Sequence, residues 1–129
     1  MKQRRCVAVV AVLLVAGASL AFYLRSTNRV YKYAVTRRHM VMMGDRLMDY
    51  YHSKGVLPAS IRQYLVDEGF RLTDEWGNPY TIEASSERFS ISSWGSDHRI
   101  GGVGDATDIV VRWQADSKGL TVNSADIQP

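Results

Sequence analysis

An uncharged apolar run near the N terminus most limits what this chain can fold into. From Cys6 to Leu24 it reads CVAVVAVLLVAGASLAFYL, with no Asp, Glu, Lys or Arg. As an α-helix this run is about 28 Å long, close to the ~30 Å hydrocarbon core of a bilayer. The sequence therefore predicts a single transmembrane helix over residues 6–24, preceded by a basic leader at residues 1–5.

A cleaved secretory signal is the alternative interpretation of the same run. Lys2, Arg4 and Arg5 form a basic n-region, and the small residues Ala16-Gly17-Ala18 resemble a cleavage site. Charge counting gives its own prediction for orientation, because more basic residues follow the run closely than precede it. By the positive-inside rule, that count favours a cytoplasmic C terminus.

Length and charge limit the remaining possibilities. The chain has 129 residues and a formal charge of +3, and room for one domain of ordinary size. The leader carries that excess charge, since basic and acidic side chains are equally numerous over residues 25–129. Residues 25–129 therefore lack the excess of positive charge that is typical of a nucleic-acid-binding protein. Cys6 is the only cysteine, which excludes an intramolecular disulfide. The folded domain must therefore be stabilised by its hydrophobic core or by another cross-link such as a bound metal.

Beyond the apolar run, the sequence predicts an α+β fold. Apolar residues at helical spacing continue to about Lys54, where Gly55 and Pro58 end the helix. A short second helix is predicted over residues 60–68, with Ser60 as its N-cap. Alternating segments then predict a small antiparallel sheet. Its strands are Tyr80–Glu83, Arg88–Ser92 and Ile109–Trp113, with a weak fourth at Gly119–Val122.

The loop between the second and third strands has the composition of a cation site. Asp97, Asp105 and Asp108 share it with several glycines, which allow backbone carbonyls to turn inward beside the carboxylates. Calcium prefers such oxygen ligands, whereas a softer metal would find only His98 here and no cysteine. The loop therefore predicts a calcium site. The alternative is that the aspartates only form turns.

Four short passages, in this order along the chain, carry a family resemblance. They are YYHSKGVLP (50–58), DEWGNPY (74–80), SWGSD (93–97) and GGVGDATDI (101–109). Together they resemble the major pseudopilin, protein G type, of type II secretion systems. The resemblance implies a pilin-like fold in which a long helix packs on a small antiparallel sheet, residues 25–129 forming the extracytoplasmic domain. It implies that the protein is a structural subunit and not an enzyme. It also implies that the chain crosses the bacterial inner membrane once and has its C-terminal domain in the periplasm. The implied partners are the membrane and other pseudopilin or secretion-system subunits, including further copies of this chain.

The same resemblance implies a ligand set for calcium. Carried over residue by residue, the family's ligands fall on the carboxylates of Asp97 and Asp105 and on the carbonyl groups of Trp94 and Val103. A further family carboxylate falls on Ala106, so Asp108 becomes the candidate to replace it.

The N terminus departs from the family pattern and leaves other functions open. The family's glycine at the prepilin-peptidase site, the phenylalanine after it and a glutamate within the apolar run are absent, and no acidic residue precedes Asp45. Without that glutamate, the alternative is an anchored or secreted binding domain of pseudopilin-like fold that joins no fibre. A third hypothesis is a secreted hydrolase that uses the loop carboxylates and His98. The dispersed histidines do not form a catalytic motif, so we expect no enzyme.

Overall fold

The computed structural model describes residues 2–86, 88–102, 106–114 and 121–123, without the side chains of residues 2–12 and 121–123. The chain divides into two compact units, Met1–Tyr31 and Lys32–Pro129. Helix α1 (Lys2–Lys54) contributes to both units.

The first unit consists of the N-terminal part of α1. Its apolar side chains from Leu13 to Leu24 are exposed. Over the side chains that the structure describes, no helix is both apolar enough and long enough to cross a membrane. Residues 6–12 of the predicted span lie outside that set, and the span over residues 6–24 stays a prediction.

In the second unit, α1 turns one face toward a hydrophobic core. The buried side chains recur at three- and four-residue spacing, which places them on one stripe of the helix. They are Thr36, Met40, Met43, Leu47 and Met48. The helix ends at Lys54, as predicted, and Gly55 follows at a φ of 73° with its N–H donating to the Tyr51 carbonyl at 2.7 Å.

A short helix, α2 (Ile61–Asp67), follows the loop after α1. The Ser60 hydroxyl accepts a hydrogen bond from the backbone N–H of Gln63 at 3.4 Å, so the predicted N-cap is confirmed. Gly69 ends this region at a φ of 84°, which glycine adopts without strain. Leu65 is fully buried and adds α2 to the core.

Four antiparallel strands form one sheet in the order β1-β2-β3-β4. They are β1 (Thr81–Ala84), β2 (Arg88–Ser93), β3 (Ile109–Gln114) and β4 (Thr121–Asn123). The three main predicted strands are confirmed to within one residue at each end. The weak fourth strand is also present, although residues 119 and 120 of its predicted range lie outside the described residues.

The inner face of the sheet completes the core against α1. Phe89 and Ile91 of β2 and alternate residues of β3 are buried. Phe89 lies opposite Trp113, with ring centroids 4.8 Å apart in a stacked arrangement. Trp113 packs directly on the backbone of α1. A Cβ atom on Gly44 would lie 1.9 Å from the Trp113 Cζ2 atom, so only glycine leaves room for this ring. The predicted α+β fold is therefore confirmed.

Candidate cation-binding loop

The candidate loop begins where β2 ends. After Trp94 the chain makes one turn of 3-10 helix over Gly95–Asp97, and His98 then adopts a left-handed conformation with a φ of 52°. Two of the predicted ligands, Val103 and Asp105, lie outside the described residues. The structure therefore describes the predicted ligands Trp94, Asp97 and Asp108.

Asp108 lies buried at the end of the candidate loop, and its two carboxylate oxygens have different surroundings. Its side chain is 7% exposed, and its Oδ2 atom accepts a hydrogen bond from the backbone N–H of Gly101 at 2.7 Å. Its Oδ1 atom is buried and has no hydrogen-bond partner in the described part of the chain. A buried carboxylate oxygen without a partner costs free energy, and a cation would remove that cost.

Trp94 and Asp97 lie at the start of the loop. The indole N–H of Trp94 donates to the Thr81 hydroxyl at 2.9 Å, which fixes this half-buried side chain on β1. The Asp97 side chain is exposed, and its Oδ1 atom accepts a hydrogen bond from the backbone N–H of Arg99 at 3.2 Å. Among the described residues, no three His, Cys, Asp or Glu side chains form a group that could hold a metal. A site here must therefore use backbone carbonyls or the loop residues outside the described set.

Two residues of the loop, Gly102 and Ala106, approach each other closely. Gly102 has a φ of 132°, and a Cβ atom there would lie 2.4 Å from the carbonyl oxygen of Ala106. Residues 102 and 106 are thus in backbone contact, and a side chain at position 102 would open the loop. This contact explains why position 102 needs a glycine.

The turn at residues 74–79 has a role that the sequence analysis missed. Asp74 is 2% exposed, and its Oδ1 atom accepts hydrogen bonds from the backbone N–H groups of Trp76 (3.0 Å) and Asn78 (2.8 Å). Its Oδ2 atom accepts a hydrogen bond from the Ser93 hydroxyl at 2.6 Å. An aspartate at the start of a turn is a recognisable sequence signal. The burial of Asp74 and its hydrogen bond to β2 depend on tertiary contacts, which the turn motif does not predict.

Two further hydrogen bonds connect this region to its neighbours. The Asn78 side-chain amide donates to the Gly95 carbonyl at 2.8 Å. The guanidinium of Arg62, on α2, donates to the Tyr80 carbonyl at 2.7 Å. The turn is therefore joined both to the candidate loop and to α2.

His39 belongs to an aromatic cluster and not to the loop. Its Nδ1 atom is 3.1 Å from the Tyr80 hydroxyl, and its ring also contacts Phe70. Burial lowers the pKa of His39, and the nearby positive charge of Arg71 lowers it further, while Glu75 opposes the change. Burial likewise raises the pKa of Tyr80. Both shifts of pKa favour the neutral form of the side chain.

Comparison with known proteins identifies the family. Residues 29–112 match the family described as "Type II secretion system (T2SS), protein G", and this range is more than half of the chain. The chain belongs to this family, so the predicted resemblance to a protein G-type pseudopilin is confirmed. Pseudopilins of this family are structural and not catalytic, and they are membrane-associated. Comparisons with curated proteins and with solved structures found no match.

Proposed function

We propose that this protein is a structural pseudopilin subunit of a type II secretion or related pilus-type machine, and not an enzyme. Its partners are other pseudopilin or secretion-system subunits and further copies of itself. The observation that carries the proposal is the family match over residues 29–112, together with the α+β fold that the chain adopts there.

The proposal includes an anchor in the bacterial inner membrane. Residues 6–24 are uncharged, and the described apolar side chains of this run, from Leu13 to Leu24, are exposed along α1. Exposed apolar side chains on this scale need an apolar environment or a partner. Following the family resemblance, the proposal assigns the domain over residues 25–129 to the periplasm.

Expression of the full chain in a cell that carries a type II secretion system tests anchoring and assembly together. We expect the protein in the inner-membrane fraction and expect a photo-crosslinker at Val30, exposed on α1, to capture other pilin-like subunits. The same crosslinker at Ile100, exposed on the loop, controls for random capture. A wholly soluble protein would contradict the anchor. A membrane protein without subunit crosslinks would instead favour the anchored binding domain that joins no fibre.

The proposal also assigns calcium to the loop that follows β2. Asp108 supports it, because its buried Oδ1 atom has no hydrogen-bond partner among the described residues and is an oxygen of the type that calcium prefers. The carboxylate of Asp97 and the carbonyl of Trp94 would add ligands from the start of the loop. Val103 and Asp105, outside the described residues, would complete the set implied by the family. Such a site would act on the folding of the domain rather than on catalysis.

Calcium is expected to stabilise the full-length protein in non-ionic detergent. A ligand that binds only the folded state adds about 2.7 kcal/mol at ~100 times its Kd, or several degrees of Tm for a domain of this size. The Tm of each variant is measured once in calcium and once in chelator. The difference between the two Tm values should disappear in Asp108→Ala. It should persist in the control Asp49→Ala, which removes an exposed carboxylate on α1. An unchanged wild-type Tm would contradict the calcium assignment.

A further inference from the structure

The turn over residues 74–78, called here the Asp74 turn, is folded by its own carboxylate. The Asp74 Oδ1 atom accepts two backbone N–H groups of the turn, and the Asp74 N–H donates to the Asn78 carbonyl at 2.8 Å. Gly77 has a φ of 88°, and its N–H donates to the Asp74 carbonyl at 3.1 Å. The turn therefore holds its shape through at least four internal hydrogen bonds.

Two polar groups of the Asp74 turn are directed at the start of the candidate cation loop. The Asp74 Oδ2 atom accepts from the Ser93 hydroxyl, and the Asn78 amide donates to the Gly95 carbonyl. The Asp74–Ser93 bond is buried, and the Asn78–Gly95 bond is partly buried with its Gly95 end inside the domain. The bonded residues flank Trp94, which places one bond on each side of a candidate carbonyl ligand.

We infer that the Asp74 turn is a positioning element for the cation loop, with Asn78 as its key residue, an inference that rests on the calcium site proposed above. The bond from the Ser93 hydroxyl and the bond to the Gly95 carbonyl restrain the residues on both sides of Trp94 before a cation arrives. They also set the start of the 3-10 turn that presents Asp97. Groups that orient metal ligands from outside the coordination sphere commonly contribute 10- to 100-fold to metal affinity, because the cation then need not order the ligands itself.

The chain offers a matched control for this role. The Thr36 hydroxyl of α1 accepts a hydrogen bond from the backbone N–H of Glu75 at 3.2 Å, so it also contacts the Asp74 turn. Its bond joins the turn to α1, whereas the Asn78 amide joins the turn to the loop. Loss of either bond should weaken the domain, and only loss of the Asn78 bond should weaken calcium binding.

Calcium titration of the full-length protein in non-ionic detergent tests the inference. We expect Asn78→Ala to raise the Kd for calcium by about 10- to 100-fold. Asn78→Leu, which keeps a side chain of similar size without the donor, should do the same, while Thr36→Ala stays within about twofold of the wild type. Hydrogen exchange of the amides over residues 94–97, measured without calcium, should be faster in Asn78→Ala and unchanged in Thr36→Ala.

The possible outcomes separate this inference from the proposed function. A wild type that binds calcium, with both Asn78 variants binding equally well, overturns the positioning role alone. A wild type that binds no calcium overturns the calcium site and the positioning role together. If both Asn78 variants fail to fold even in calcium, the Asp74 turn supports the whole domain rather than the loop, and the inference is again overturned.

Discussion

Replacing Gly44 with alanine is expected to lower the free energy of unfolding of the second unit by about 3 kcal/mol, near the upper end for an overpacked core. The new Cβ atom would lie 1.9 Å from the Trp113 Cζ2 atom, so the indole must move. That movement disrupts the stacked pair of Phe89 and Trp113 at the inner face of the sheet. Alanine's better helix propensity, worth up to about 1 kcal/mol, offsets only part of this loss.

Thermal unfolding of the full chain in detergent, followed by circular dichroism, measures this effect. At roughly 4–8 °C per kcal/mol for a domain of this size, the Tm should fall by more than about 10 °C. Asp45→Ala introduces the same residue at the neighbouring, exposed position of α1 and should change stability by no more than about 0.5 kcal/mol.

A double variant identifies the cause of the loss. Trp113→Phe leaves a smaller ring opposite position 44, so its combination with Gly44→Ala should cost less than the sum of the two single changes. Simple additivity would show that the loss in Gly44→Ala does not come from the contact with Trp113. A Tm within a few degrees of the wild type for Gly44→Ala would show that α1 and the sheet can separate slightly at little cost. The tight contact would then not be what holds the helix on the sheet.

The elements of the fold could be predicted because local chemistry decides where they begin and end. Gly55 and Pro58 end α1, Ser60 caps α2, and the alternating apolar residues of β2 and β3 follow the two-residue period of a half-buried strand. Each of these signals depends on neighbours within a few residues. Even the weak fourth strand was predictable on that basis.

The tight helix–sheet contact was harder to predict, because it joins residues far apart in sequence. Helical spacing indicates that Gly44 lies on the buried stripe of α1, but it does not say which side chain needs the space that a Cβ atom would fill. That side chain is Trp113, on a strand near the other end of the domain. Helical periodicity gives the buried face of an element, and the partner on that face is set by tertiary packing.

The candidate loop shows the same division between local and distant information. Its aspartates and glycines indicate oxygen ligands for a cation, and Asp108 does lie at the end of the loop in a buried position. The sequence could not show that one Asp108 oxygen accepts a hydrogen bond from Gly101, nor that the other has no partner within the described ranges of the chain. The sequence also could not show that the Asp74 turn forms hydrogen bonds with the residues at the start of the loop. The residue types of a turn predict the shape of the turn and not its contacts with distant residues.

Asp74 is the residue for which we expect the largest loss among polar substitutions. Asp74→Ala removes the acceptor of two backbone N–H groups and of the buried Ser93 hydroxyl. Hydrogen bonds to a charged group are worth about 1.5–3 kcal/mol each, and a buried donor left without a partner costs about 1–3 kcal/mol. We therefore expect the free energy of unfolding to fall by at least about 3 kcal/mol.

A graded series shows whether hydrogen bonding or side-chain volume causes this loss. Asp74→Asn keeps the shape and one acceptor oxygen for the two N–H groups, and the Ser93 hydroxyl can rotate to accept from the new amide. Its loss should therefore be smaller, about 1–2 kcal/mol, because the Ser93 proton then lacks its acceptor. Asp49→Asn, exposed on α1, should change stability by less than about 0.5 kcal/mol.

Urea unfolding of the full chain in detergent gives the free energies for this series. Equal losses for Asp74→Ala and Asp74→Asn would show that the negative charge matters and the number of acceptors does not. A loss below about 1 kcal/mol for Asp74→Ala would mean that water replaces the carboxylate. The predicted order, with alanine worst and the exposed control near zero, follows only if all three hydrogen bonds to the buried carboxylate stabilise the domain, two within the turn and one from Ser93 of β2.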